Sequence, residues 1–261
     1  MKLLMPYITG GVVPGWTAYL SAFEHAGADL IEVGLPFSDP TVDGPTIQES
    51  SDAALARGTT PASVLEDLAK VRIDIPLIAS TYANIALRPG FGDALTAARV
   101  TGLIVPDLPL DELAGLEVPG VQVSLLASPA TPDDRLAEIG QRSQGFVYAI
   151  SVMGTTGERD RLAPSAAALA ARLKQVTDLP VLLGFGISTP EQAAEASAVA
   201  DGVIVGAAVM RRILDGAGPA EVGAFVASLR AALSLVAPCD DRRWPQISDS
   251  RASRSAAAAD P

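Results

Sequence analysis

The chain has 261 residues, of which 49% are hydrophobic and 19% are charged, so it is long enough for one globular domain with a large core. Its net charge of −11 argues against nucleic acid and anionic membrane as partners, although a local pocket of N–H donors still allows a phosphorylated small molecule. One cysteine and one histidine argue against an internal disulfide, a His/Cys metal site and a Ser-His-Asp triad. No apolar run approaches the roughly 20 residues of a membrane span, and we expect a cytoplasmic protein.

Strands and helices alternate along the first half of the chain. Short aliphatic runs bounded by glycine and proline predict strands at 3–9, 30–35, 76–82 and 102–105. Helical patterns lie at 17–24, 45–57, 61–71, 92–100 and 111–116. Gly27 is the expected left-handed cap of the first helix, and Thr60 is the expected N-cap of the third, with Pro61 in its first turn.

The second half continues the same alternation. Strands are predicted at 121–126, 146–151, 180–183 and 202–205, and helices at 131–141, 164–176, 190–197 and 221–235, with a long loop at 152–163. Eight strand–helix units predict a single (β/α)₈ TIM barrel over residues 1–237. A doubly wound open sheet is the second choice, because such sheets usually have about five or six strands. Residues 238–261 lack periodicity, and we expect a disordered C-terminal tail.

The second strand contains a carboxylate, which is unusual in an aliphatic strand. Glu32 shares a face with Leu30 and Gly34, and this face suits the lumen of a barrel beside a ligand. Asp43 follows eleven residues later in a loop rich in glycine and proline. Two carboxylates in different environments beside one pocket are typical of a general acid and a general base. The structural alternatives are a Glu32 satisfied by backbone donors and an Asp43 that only forms a turn.

Polar and glycine residues cluster where the predicted strands end, which is where TIM barrels build their active sites. Glycines after the seventh and eighth strands, Gly186 and Gly206, predict a phosphate site made of backbone N–H groups, although they could form only tight turns. Tyr82 and Tyr148 could face the site or could be core aromatics with hydrogen-bonded hydroxyls. Asp107 could simply cap a turn.

Six motifs occur together in this order, and they are more specific than any one alone: EVGLPFSDPTVDGPTIQ, YAN, LIVPDLP, GFVYAISVMGTTG, TDLPVLLGFGISTPEQAAE and ADGVIVGAA. Over residues 3–214 the sequence resembles the tryptophan synthase α subunit family. The resemblance implies retro-aldol cleavage of indole-3-glycerol phosphate to indole and glyceraldehyde 3-phosphate. It also implies a β subunit that carries PLP and joins indole to serine, whereas no metal or organic cofactor is required of this chain.

The resemblance also implies roles for individual residues. Glu32 matches the glutamate that moves protons at indole C3 and at the glycerol hydroxyl, and Asp43 matches the aspartate that polarises the indole N–H. Thr156 matches the loop threonine that closes over the site and meets that aspartate. The matches to the indole pocket are Tyr7, Tyr82 and Tyr148. The matches to the phosphate cradle are Gly157, Phe185, Gly186 and Gly206, followed by Ala207.

Two departures from the family pattern change what we expect. Ala207 stands where the family usually has serine, so the backbone donor to phosphate remains and a hydroxyl donor is lost. The family's leading helix before the first strand has no counterpart, so we expect exposed apolar surface or lower stability at the barrel floor. Three alternatives stay open: a free-standing lyase that releases indole, a non-catalytic partner that regulates a β subunit, and another phosphosugar-binding barrel such as an isomerase, which the Glu32/Asp43 pair disfavours.

Overall fold

The structure is a computed structural model, which describes residues 1–150, 164–184 and 186–236. The predicted loop at 152–163 and the predicted tail at 238–261 lie outside these ranges. None of the helices within the described ranges is long and apolar enough to cross a membrane.

Parallel strands form a barrel, as predicted. They are β1 (Leu3–Thr9), β2 (Ile31–Gly34), β3 (Leu77–Ser80), β4 (Gly102–Ile104), β5 (Gln122–Val123), β6 (Leu125–Ala127), β7 (Val147–Ile150), β8 (Val181–Gly184) and β9 (Gly202–Val205). The strand order is β5-β4-β3-β2-β1-β9-β8-β7-β6. β5 and β6, which are consecutive in the chain, therefore stand at the two ends of the sheet. A doubly wound open sheet does not have this arrangement.

The predicted fifth strand is divided into β5 and β6 by a single residue, Ser124. Its backbone N–H donates to the Leu103 carbonyl at 3.0 Å, and its hydroxyl donates to the Gln144 carbonyl at 2.8 Å. β5 pairs with β4, and β6 pairs with β7. The two hydrogen bonds of Ser124 therefore link the two ends of the sheet. The eight predicted strand positions are confirmed, and the fifth contains an interruption.

Helices follow the strands. They are α1 (Thr17–His25), α2 (Pro45–Ala56), α3 (Pro61–Lys70), α4 (Ala83–Ala86), α5 (Phe91–Ala97), α6 (Asp133–Arg142), α7 (Pro164–Lys174), α8 (Pro190–Val199), α9 (Ala207–Leu214) and α10 (Pro219–Ser234). The helix predicted at 111–116 is a 3₁₀ helix, Leu110–Gly115. The sequence did not predict α4 or α9, because α4 has only one turn and α9 begins directly after the glycine that ends β9.

Local sequence signals set several of these boundaries. Thr60 accepts a hydrogen bond from the Ser63 backbone, and the Ser63 side chain accepts one from the Thr60 backbone, which is a reciprocal cap of α3. Gly27 ends α1 with a φ of 87°, as its predicted left-handed role requires. Ile31 and Val33 of β2 belong to the core between strands and helices. Leu30, directly before β2, belongs to a separate cluster inside the barrel, with Met5 and Ile78, so the predicted alternation is confirmed.

α10 packs against α1 and α8, and its Arg230 side chain reaches the floor of the barrel. Arg230 donates to the Lys2 carbonyl at 2.9 Å and to an Asp29 carboxylate oxygen at 2.7 Å, and that oxygen accepts from the Leu4 N–H at 2.8 Å. Leu3 and Leu30 are at most 8% exposed. The exposed apolar surface expected at the floor is therefore not observed at Leu3 and Leu30, whereas Met1 is 75% exposed.

Candidate active site

Two cavities meet at the carboxyl ends of the strands and share the same four residues: Tyr7, Glu32, Asp43 and Tyr148. Their empty volumes, open solvent included, are about 730 and 620 Å³. The aromatic lobe is lined in addition by Phe37, Tyr82, Ile104, Leu126 and Ile150. The glycine lobe is lined in addition by Gly44, Ile47, Gly186, Gly206 and Ala207. The two carboxylates therefore lie where the lobes join.

Glu32 is held in β2 at only 6% exposure. The pKa of its carboxyl is raised to about 8, mainly because the group is buried; a hydrogen bond with Ser80 lowers this pKa, and the negative charge of Asp43 raises it. Ser80 stands at the end of β3, paired in register with Gly34. A carboxyl with this pKa is mostly protonated at neutral pH and can donate a proton.

Asp43 lies in the loop before α2 and is fixed by a tyrosine. The Tyr82 hydroxyl donates to an Asp43 carboxylate oxygen at 2.8 Å, and the Tyr82 oxygen accepts from the Val42 N–H at 3.3 Å. The Tyr82 ring stacks on Phe37, with 4.7 Å between ring centroids. The pKa of Asp43 is raised, because the effect of burial exceeds that of the Tyr82 hydrogen bond, which lowers the pKa. This bond favours the ionised form, so Asp43 is suited to accept a hydrogen bond from a ligand.

Two further tyrosines lean across neighbouring strands onto glycines. Tyr7 pairs in register with Glu32, and a Cβ atom added at Gly34 would lie 2.0 Å from the Tyr7 oxygen. In the same way Tyr148 pairs with Leu182, and a Cβ atom at Gly184 would lie 2.4 Å from the Tyr148 ring. Each glycine stands two residues beyond the register partner, on the same strand face. Burial raises the pKa of both phenols well above the usual value, so both are neutral.

The glycine lobe lies at the start of α9. Gly206 is the N-cap, and Ala207 is the first helical residue and is exposed. Gly206 has a φ of −100°, and an added Cβ atom would meet nothing closer than 3.6 Å, so neither strain nor packing requires glycine there. Gly186 has a φ of 84°, which favours glycine for the turn itself. Among the described residues no lysine or arginine lines either lobe, so an anion there would be bound by N–H groups at the helix start.

Most of the predicted site residues come together in this cleft. The two lobes are lined by Tyr7, Glu32, Asp43, Tyr82, Tyr148, Gly186, Gly206 and Ala207. Thr156, Gly157 and Phe185 lie outside the described residues. Within the described part of the chain, no group of three or more His, Cys, Asp or Glu side chains could hold a metal ion.

Two residues of the cleft, Ser80 and Phe37, were missed by the sequence interpretation. Ser80 follows the lumen residue Ile78 by two positions, and this alternation could have placed it beside Glu32. Phe37 gave no such signal, because its position depends on the path of a loop. Asp107, which the sequence suggested could cap a turn, accepts a hydrogen bond from the Ala83 N–H at 2.8 Å, at the start of α4.

The fold and the cleft define a (β/α)₈-barrel protein with a buried acid pair at the carboxyl ends of its strands. The family model described as tryptophan synthase alpha chain matches residues 1–230. This chain belongs to that family.

Relatives and solved structures agree with this assignment. The chain is 46% identical to the tryptophan synthase alpha chain of Gloeobacter violaceus, over 83% of each chain. It is 42% identical to that of a Synechococcus strain, over 88% of this chain and 91% of the relative. A tryptophan synthase structure from Mycobacterium tuberculosis matches with a TM-score of 0.81 and 38% identity, over 90% of this chain and 93% of the other. The tryptophan synthase subunit alpha of Legionella pneumophila matches with a TM-score of 0.79 and 33% identity, over 89% of this chain and 93% of the other.

Proposed function

We propose that this chain cleaves indole-3-glycerol phosphate to indole and glyceraldehyde 3-phosphate, as the alpha subunit of tryptophan synthase in tryptophan biosynthesis. It is thus a carbon–carbon lyase. The observation that carries the proposal is the cleft shared by Glu32, a buried acid with a pKa of about 8, and Asp43, a carboxylate held by a phenol, in a chain of this family.

Protonation of the indole ring begins the reaction. Glu32 is mostly protonated at neutral pH because burial raises its pKa, and it donates its proton to C3 of the indole. Positive charge then develops on the ring nitrogen. Asp43, which keeps its place through the Tyr82 hydroxyl, accepts the indole N–H and stabilises that charge.

In the second step Glu32 acts as the base, and the C–C bond is cleaved. The ionised Glu32 takes the proton of the glycerol hydroxyl next to C3, and that C–O bond becomes the carbonyl of glyceraldehyde 3-phosphate. The electron pair of the C3–carbon bond returns to the ring, so indole leaves as a neutral molecule. Glu32 ends the cycle protonated, and no net proton is gained or lost.

The two lobes suit the two ends of this substrate. The aromatic lobe, with Phe37 and Tyr82 stacked on one side, would take the indole, and Tyr7 and Tyr148 would contact both parts. The glycine lobe would take the phosphate on the N–H groups around Gly206 and Ala207. Thr156, Gly157 and Phe185 belong to the same proposal through their match to the family motifs.

A tryptophan synthase β subunit is the proposed partner. Support comes from the family match and from the likeness to tryptophan synthase structures of Mycobacterium tuberculosis. The PLP of the overall reaction would be on that subunit. The proposed compartment is the cytoplasm. Disulfides are rare there, and a chain with a single cysteine cannot form an internal one.

An indole-release assay on the purified chain, with and without a cognate β subunit, tests the proposal. We expect turnover of indole-3-glycerol phosphate that rises when the β subunit is added. Strong turnover that the β subunit leaves unchanged would favour a free-standing lyase instead. No indole under either condition would refute the lyase assignment.

A further inference from the structure

A buried chain of hydroxyl groups runs from the cleft into the wall of the barrel. The Tyr7 hydroxyl lies 3.1 Å from the Thr9 hydroxyl, which lies 2.6 Å from the Ser50 hydroxyl on α2. The Ser50 hydroxyl donates to the Ile47 carbonyl at 2.8 Å. Thr9 and Ser50 are fully buried, so water does not compete for these bonds.

The last bond of this chain sets the direction of all the others. A carbonyl can only accept, so the single proton of Ser50 points to Ile47. Ser50 must then accept from Thr9, and Thr9, whose proton is thereby used, must accept from Tyr7. The Tyr7 proton therefore points to Thr9, and the Tyr7 oxygen can only act as an acceptor toward the cleft.

The Tyr7 oxygen has no other hydrogen-bond partner within the described ranges. The residue lines both lobes of the cleft beside Glu32 and Asp43. Tyr82 provides a contrast, because its oxygen already accepts from Val42 and its proton goes to Asp43. Of Tyr7 and Tyr82, Tyr7 is therefore the one whose oxygen can accept a hydrogen bond from a ligand.

We infer that Tyr7 is a specificity-determining residue that accepts a hydrogen bond from a hydroxyl of the glycerol chain, with Thr9 and Ser50 as its positioning residues. This inference rests on the proposed function. One glycerol hydroxyl must give its proton to Glu32, and the second needs an acceptor when it leaves water. A site built to bind a hydroxyl discriminates against the analogue that lacks it, because the buried acceptor is then unpaired.

The test compares two ligands in four variants of the full chain. The ligands are indole-3-glycerol phosphate, as substrate, and indole-3-propanol phosphate, which lacks both glycerol hydroxyls, as inhibitor. The variants Tyr7→Phe and Thr9→Val break the chain at successive hydroxyls, and Thr9→Ser keeps it. Tyr19→Phe is the matched control, because it removes a phenol that donates to the Ala217 carbonyl at 2.7 Å outside both lobes.

We expect kcat/KM for the substrate to fall about 3- to 10-fold in Tyr7→Phe and Thr9→Val, the usual effect of one hydrogen bond. The propanol analogue should not bind more weakly to either variant, because it makes no hydrogen bond to Tyr7, and Tyr7→Phe should bind it as tightly as the wild type or more tightly, because no acceptor is left unpaired. Thr9→Ser and Tyr19→Phe should behave like the wild type.

Two results would overturn the inference alone. One is an unchanged kcat/KM in both chain-breaking variants, and the other is a parallel loss of affinity for the propanol analogue, which would indicate a packing defect. A wild-type chain without indole release would instead overturn the proposed function, and the inference with it. Circular dichroism of each variant separates these results from a failure to fold.

Discussion

Replacement of Glu32 by glutamine should stabilise the protein while it abolishes indole formation. The side chain keeps its shape, and its amide oxygen can still accept a hydrogen bond from Ser80. What disappears is the group that ionises inside the barrel. The variant therefore separates the cost of burying an acid from the chemistry for which that acid is proposed.

The size of the effect follows from the pKa of Glu32, which burial raises from 4.5 to about 8. Above pH 4.5 the unfolded chain loses this proton while the folded chain keeps it, so the folded state loses stability as the pH rises toward 8. At about 1.4 kcal/mol per pKa unit, the full loss is about 5 kcal/mol, and about 3 kcal/mol of it is present at pH 7. Glutamine does not ionise and avoids this loss.

Urea unfolding followed by far-UV circular dichroism, repeated from pH 4.5 to pH 9, measures the free energy of unfolding. The wild type and Glu32→Gln should be similar at pH 4.5, and the variant should become the more stable one up to about pH 8, after which the difference stays constant. Glu66→Gln is the matched control, because Glu66 is an exposed acid on α3. Because Glu66 is exposed to water in the folded protein, its replacement should change the free energy of unfolding by less than about 0.5 kcal/mol.

Two outcomes would refute the reasoning. If the stability difference between Glu32→Gln and the wild type is the same at pH 5 and pH 8.5, the buried carboxyl does not have a raised pKa. If the variant keeps near-normal turnover of indole-3-glycerol phosphate, Glu32 does not transfer the proton.

Three further predictions address the rest of the cleft. Asp43→Asn should abolish indole formation without a change in the circular dichroism spectrum, because an amide cannot stabilise the charge on the ring nitrogen; retained turnover would contradict its role. Ala207→Ser should lower KM for the phosphorylated substrate about tenfold by adding one hydrogen bond to a charged acceptor, whereas an unchanged KM would mean that the N–H groups suffice. Gly34→Ala should lower the free energy of unfolding by about 1–3 kcal/mol, since its Cβ atom would lie 2.0 Å from the Tyr7 oxygen. Gly218→Ala, which adds a Cβ atom with nothing within 4 Å, is the control, and equal losses in the two variants would contradict the steric explanation.

Local patterns predicted the barrel and most of the cleft. Eight aliphatic runs separated by helical patterns are enough to predict a (β/α)₈ barrel. A strand in such a barrel is buried on both faces and is apolar throughout, whereas a helix is buried on one face only and is amphipathic. A period of two placed Glu32 in the lumen, and the carboxyl ends of the strands placed Asp43, Tyr82 and Gly206 near it. The short helices α4 and α9 gave no pattern long enough to detect.

The sequence by itself determined most of the residues that reach the mouth of the barrel, since strand periodicity and glycine positions are local properties of the chain, whereas Phe37 depends on the path of a loop. Only the tertiary structure decided how those residues pair. The Tyr82–Asp43 bond joins positions 39 residues apart, and the Thr9–Ser50 bond joins positions 41 apart. Such contacts depend on how the sheet closes and where each loop runs, and so do the burial that raises the Glu32 pKa and the acceptor role of the Tyr7 oxygen.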